Sequence, residues 1–84
     1  MSQWDKLLDR VRKLSSDLRF VELQKILESY GYKMNAPGGG SSHCTFRKVG
    51  YPPITIPKHT PIKKVYIEMV REVVEREEAE NANN

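Results

Sequence analysis

The sequence has a single cysteine, Cys44, so no internal disulfide can form. That suits a reducing compartment, and the expected location is the cytoplasm. No apolar run approaches the roughly 18 residues needed to cross a bilayer. The N-terminal stretch through Leu14 is charged and amphipathic, unlike a signal peptide, so no membrane association is expected. Aromatic residues make up only 8% of the chain, with one Trp, and 84 residues suffice for one domain. A domain of this size buries only about 60% of the surface its unfolded chain exposes, which excludes a deep, multi-layered active site. The most informative absence is of acid: between Glu28 and Glu68 there is no Asp or Glu.

That acid-free stretch holds six basic residues, Lys33, Arg47, Lys48, Lys58, Lys63 and Lys64. The flanking segments carry the other eight basic residues and all eleven acidic ones, a net charge of −3 around a basic centre. Such a distribution suggests a polyanionic partner for the centre, although a solvated surface with chance clustering has the same composition.

Apolar periodicity supplies the elements. Trp4, Leu7, Leu8, Val11 and Leu14 repeat at helical spacing, and Ser15, Ser16 and Asp17 form a break with capping residues. A second helical stripe runs through Phe20, Leu23, Ile26, Leu27 and Tyr30, with Gly31 at its left-handed stop. Three short extended segments follow, at Tyr32 to Asn35, at His43 to Lys48 and around Ile54 and Ile56. Pro53 and Pro57 leave little room for the third to be long or central. A last helix is expected with Thr60 as N-cap and Pro61 at its first position. Ile62, Val65, Tyr66, Met69, Val70, Val73 and Val74 would be its buried face.

The expected fold is therefore α+β: a three-stranded antiparallel sheet covered on one face by helices, with an extra N-terminal helix. It forms a single domain over residues 1–84, with the first helix within 1–15, a core over 18–78 and a tail over 79–84 expected to fray. Strand alternation turns Cys44, Phe46, Ile54 and Ile56 toward the helices and His43, Thr45 and Arg47 to the open face.

His43 and His59 are the candidates for proton transfer near neutral pH. His43 follows the glycine-rich segment Pro37 to Ser42 and shares a face with Arg47. Lys63 and Lys64 are expected in the first turn of the last helix, where the macrodipole is already positive, a placement that suits a docked phosphate. Together His, Arg and Lys suit RNA transesterification, in which a 2′-hydroxyl loses a proton and negative charge builds on phosphorus. No metal or other cofactor is implied, because His43, Cys44 and His59 are too few and too poorly spaced for zinc. Cys44, on the opposite side of the strand from His43, is a buried filler rather than a nucleophile. The glycine segment lacks the Lys-Ser/Thr ending of a phosphate-binding loop.

These segments resemble the HicA family of toxin–antitoxin systems. The matching stretches are LESYGY at 27–32, GSSHCTFR at 40–47, ITIPKH at 54–59 and PIKKVY at 61–66. The resemblance spans Phe20 to about Glu75 and is weaker over Met1 to Arg19. It implies a fold like that of double-stranded-RNA-binding domains, and an endoribonuclease that cleaves mRNA with a His on the sheet. A HicB-type antitoxin would be its protein partner and would block the site. Carried over, His43 matches the catalytic His and His59 the second one, and Arg47, on the same face as His43, is the other candidate to assist. Ser41, Ser42, Arg47, Lys48, Lys58, Lys63 and Lys64 complete the expected RNA-contacting set. One departure stands out: many members have Gly-Ser-His or His-His, whereas here two serines precede a lone His. Two other readings compete, a non-catalytic RNA-binding module of the same fold and a protein-interaction domain. The polar residues expected on the open face disfavour the latter.

Overall fold

The computed structural model describes residues 2–35, 43–58 and 61–82. Helix α1 spans Gln3–Arg12. The Ser2 hydroxyl caps it by accepting the Asp5 backbone N–H at 3.1 Å, and Leu8 and Val11 face the core. The helix ends with Leu14 in the left-handed region at φ +55°. Helix α2 spans Phe20–Ser29 and buries Leu23, Ile26 and Leu27. The residues Ser15 to Asp17, read from sequence as a capping break, do not cap α2. Its N-cap is Arg19, whose backbone N–H donates to the Glu22 carboxylate at 2.9 Å. Asp17 instead accepts from Ser15 and from Arg10, and Arg10 also donates to Glu22 at 2.8 Å, tying α1 to α2. The glycine stop after α2 is present as expected. Gly31 lies at φ +96°, its N–H bonds the Glu28 carbonyl, and the Tyr32 N–H bonds the Leu27 carbonyl, both at 3.1 Å.

Three strands, β1 (Lys33–Asn35), β2 (His43–Lys48) and β3 (Tyr51–Pro57), form one antiparallel sheet in the order β1-β2-β3. The sheet is α+β in setting, with helices on one face and the other face open. Cys44, Phe46 and Ile56 are fully buried and Ile54 half-buried, as alternation requires. Phe20 of α2 lies against Phe46 with ring centroids 6.0 Å apart.

β3 departs from the sequence reading, because it is seven residues long despite Pro52, Pro53 and Pro57. It is an edge strand, where a missing N–H is tolerated. Its register to β2 also shifts, so that Arg47 alone stands opposite the pair Pro52 and Pro53. A bulge thus absorbs the two prolines that an unbroken ladder could not.

Helix α3 spans Lys64–Ala82, starting later than expected. Pro61 lies in a bend outside the helix, and Ile62 anchors in the core just before it, only 4% exposed. The Lys63 carbonyl accepts the first helical N–H groups, from Tyr66 at 3.0 Å and Ile67 at 3.5 Å. The buried stripe is Ile67, Val70, Val73, Val74 and Glu77, rotated from the expected face. Val65 and Met69 are 50% and 39% exposed. The rotation follows from packing, since α3 sits against both α1 and α2 and presents the Ile67 row between them. The helix also continues through Ala79 to Ala82, past the point where the sequence suggests fraying.

A polar cluster locks α3 over the β2–β3 turn. Glu77, 7% exposed, holds the Lys48 ammonium. The Arg76 guanidinium stacks 3.9 Å from the Tyr51 ring centroid and donates to the Tyr32 hydroxyl at 2.9 Å. The Lys48 hydrogen bond outweighs desolvation and holds the Glu77 carboxyl below its usual value of 4.5. A depressed folded-state value means that this contribution is fully present above about pH 4.5 and is lost as pH falls through the folded value. Glu77→Gln should lower stability at neutral pH by roughly 1.5–3 kcal/mol. It should also make the acid-side decline shallower than in the parent. Thermal melts from neutral pH to pH 3 check both, and parallel curves for parent and variant would remove Glu77 as the cause.

Candidate functional site

The open face is built by strand alternation on β2 and by the register of its neighbours. His43, Thr45 and Arg47 point away from the helices, with His43 and Arg47 exposed. The pairings set three rows across the sheet: Lys33 opposite Arg47, Asn35 opposite Thr45 and Thr45 opposite Thr55, and His43 opposite Pro57. The Thr45 and Thr55 hydroxyls lie 3.1 Å apart, within hydrogen-bond reach. None of the three strands contains an acidic residue.

Lys58 follows Pro57 and is exposed, so it is the first cation past the register partner of His43. Arg47 shares the face with His43 but lies four residues along the strand, about 13 Å away.

Lys63 and Lys64 are exposed at the start of α3. Lys63 precedes the helix and Lys64 opens it, so only Lys64 occupies the first turn, which carries no acid. Because Arg76 and Glu80 contact Tyr51 while Met69 and Val73 flank Ile54, α3 runs antiparallel to β3. Its N-terminus therefore lies at the same end of the molecule as His43 and Pro57. Among the described residues, no acid forms an ion pair with Lys33, Arg47, Lys58, Lys63 or Lys64.

Lys48 stands apart from that set, since it turns to the helical side and is held by Glu77. Ser41, Ser42 and His59 lie outside the described residues. Cys44 is buried, which fits a packing role. Lys33 belongs to the basic centre by sequence, and only its register with Arg47 places it on this face.

Among the described residues no three His, Cys, Asp or Glu side chains converge as a metal site would need. A groove of about 550 Å³ lies elsewhere, between α1 and α2, lined by Trp4, Leu7, Arg10, Glu22 and Lys25. It contains no His or Cys, and its Arg10 and Glu22 already neutralise each other. The open face is thus where an exposed imidazole and uncompensated cations meet. It can bind polyanions through fixed positive charge, and an imidazole there can serve in proton transfer. No family model, curated protein or solved structure matches the chain.

Proposed function

We propose that this protein is a HicA-type toxin, an endoribonuclease that cleaves mRNA on the open face of its sheet. The reading rests on one observation: His43 is exposed at the end of the central strand, on an acid-free face that also carries Arg47 and Lys33. The order α2-β1-β2-β3-α3 supports the likeness to a double-stranded-RNA-binding domain that this reading carries, with α1 as an addition. In this reading His43 takes the proton of a ribose 2′-hydroxyl, whose oxygen attacks the adjacent phosphorus. The P–O bond to the 5′-oxygen breaks, and that oxygen gains the proton carried by the His43 imidazolium, with His59 as the assisting histidine of the resemblance. The products carry a 2′,3′-cyclic phosphate and a free 5′-hydroxyl. Lys58, next to the register partner of His43, supplies positive charge at this end of the fold together with Lys63 and Lys64. A HicB-type antitoxin is the proposed inhibitor, covering this face.

The test is cleavage of a defined RNA in vitro, alongside RNA integrity after induced expression in a bacterium. Cleavage should persist in EDTA, yield a cyclic phosphate, and stop when a single 2′-deoxynucleotide replaces the one at the cut site. Loss of activity in EDTA, or cleavage of the deoxy substrate, would exclude this mechanism. Binding without cleavage would leave a non-catalytic RNA-binding module.

A further inference from the structure

We propose that Lys33 and Arg47 form a second phosphate subsite, which holds the ribose–phosphate backbone of single-stranded RNA about two nucleotides from the scissile linkage. This inference rests on the reading of the open face as an RNA-cleaving surface.

Three observations carry it. First, Lys33 and Arg47 are direct register partners, both exposed, on the same side of the sheet. Like charges placed opposite each other across strands are destabilising unless a counter-charge sits between them. Six cations, Arg10, Arg12, Lys13, Lys48, Arg71 and Arg76, lie beside carboxylates, and none of these six faces another cation across the sheet as Lys33 faces Arg47. Neither Lys33 nor Arg47 has a carboxylate partner among the described residues, and an anion docked on the face would supply the counter-charge that the cross-strand pair lacks.

Second, the spacing is set by the strand. Four residues separate His43 from Arg47, about 13 Å and on the order of two nucleotides of an extended strand. Arg47 is therefore too far along β2 to serve the reacting phosphate and correctly placed for another. The bulge at Pro52 and Pro53 stands directly opposite Arg47 and interrupts the regular ladder there, which resumes at Lys48 and Tyr51. Bulges are a recurrent device for aiming a side chain.

Third, the row between the two positions is made of Asn35, Thr45 and Thr55, groups that hydrogen-bond to ribose hydroxyls and phosphate oxygens. No aromatic residue belongs to this face among the described residues. Phe46 and Tyr32 are buried, Tyr51 lies under Arg76, and Phe20, Tyr30 and Tyr66 pack at the core. Without a stacking platform the subsite grips backbone and is indifferent to the base.

The experiment uses short single-stranded RNAs made uncleavable by one 2′-deoxynucleotide at the cut site. One neutral methylphosphonate linkage is moved along each in turn. For the parent protein, affinity at low salt should fall on the order of tenfold when the neutral linkage lies about two nucleotides from the cut. The double variant Lys33→Gln with Arg47→Gln should bind all sequences more weakly. Its slope of log affinity against log salt should be lower by about 0.7 per lost contact. It should also ignore the neutral linkage at that position, and its Tm should be unchanged or higher, because the like-charge pair is gone.

A flat methylphosphonate profile in a parent that binds and cleaves RNA overturns the subsite without touching His43. So does a folded double variant that keeps the parental salt slope. The profile needs only the parent protein, so it decides the matter even if the double variant fails to fold. A parent that binds no RNA overturns both this inference and the proposed function.

Discussion

His43→Ala is expected to abolish RNA cleavage and growth arrest while leaving the protein folded. Losing a general acid–base group costs roughly 10²–10⁴ in rate. At such a loss, induced expression of the variant should no longer stop growth. His43 is exposed, and its strand neighbour Cys44 supplies the core contact at that point. Surface substitutions of this kind change stability by about 0.5 kcal/mol or less, which for a domain of this size shifts Tm by no more than about 4 °C. RNA affinity should hold, because the cations are untouched. A variant that cleaves at the parental rate would remove His43 from the mechanism. A variant that has lost its cooperative melt would show that His43 matters to the fold instead.

The largest effect on stability is expected one turn of the pleat away. Phe46 is fully buried on the central strand, flanked by Met34 and Ile54 in register and packed against Phe20. Phe46→Ala removes a large side chain from a site braced on all sides, and the cavity cannot easily collapse. The cost should be about 3–5 kcal/mol. At about 4–8 °C per kcal/mol, Tm should fall by at least ~12 °C. Total stability for a domain of this size is only about 4–13 kcal/mol, so the variant loses a large share of it. Phe46→Leu, which refills most of the volume, should restore much of the difference. Guanidinium unfolding of the three proteins gives the comparison. Activity lost in Phe46→Ala should return on cooling or with Phe46→Leu, since the chemistry lies on the other face of β2. A Tm within a few degrees of the parent would contradict the central place given to Phe46.

The two substitutions fall on one strand, and their separation was legible in the sequence. From His43 to Lys48 the chain alternates, and alternation alone assigns Cys44 and Phe46 to the core and His43 and Arg47 to the solvent. The Gly31 stop was equally plain, because few other residues accept the left-handed backbone there without strain. The acid-free centre was a matter of reading the letters. Such features are local: their period or steric demand is written within a few residues.

Tertiary structure decided the rest. Lys33 and Arg47 are fourteen residues apart, and only the β1–β2 register brings them face to face. Lys48 reads as one more cation of the basic centre; alternation puts it on the helical side with Cys44 and Phe46, and only the packing of α3 supplies Glu77 to hold it there. The prolines of β3 suggested a short strand, but the edge position and the bulge opposite Arg47 let it run through them. The apolar stripe of α3 admitted more than one face, and packing against α1 and α2 selected Ile67 over Val65 and Met69. The sequence by itself determined the order of elements, the two faces of β2 and the basic centre, because each depends on a short-range pattern. The pairing of Lys33 with Arg47, the partner of Lys48 and the rotation of α3 depend on contacts between segments distant in the chain. Their energies belong to the packed pair and are carried by neither segment alone.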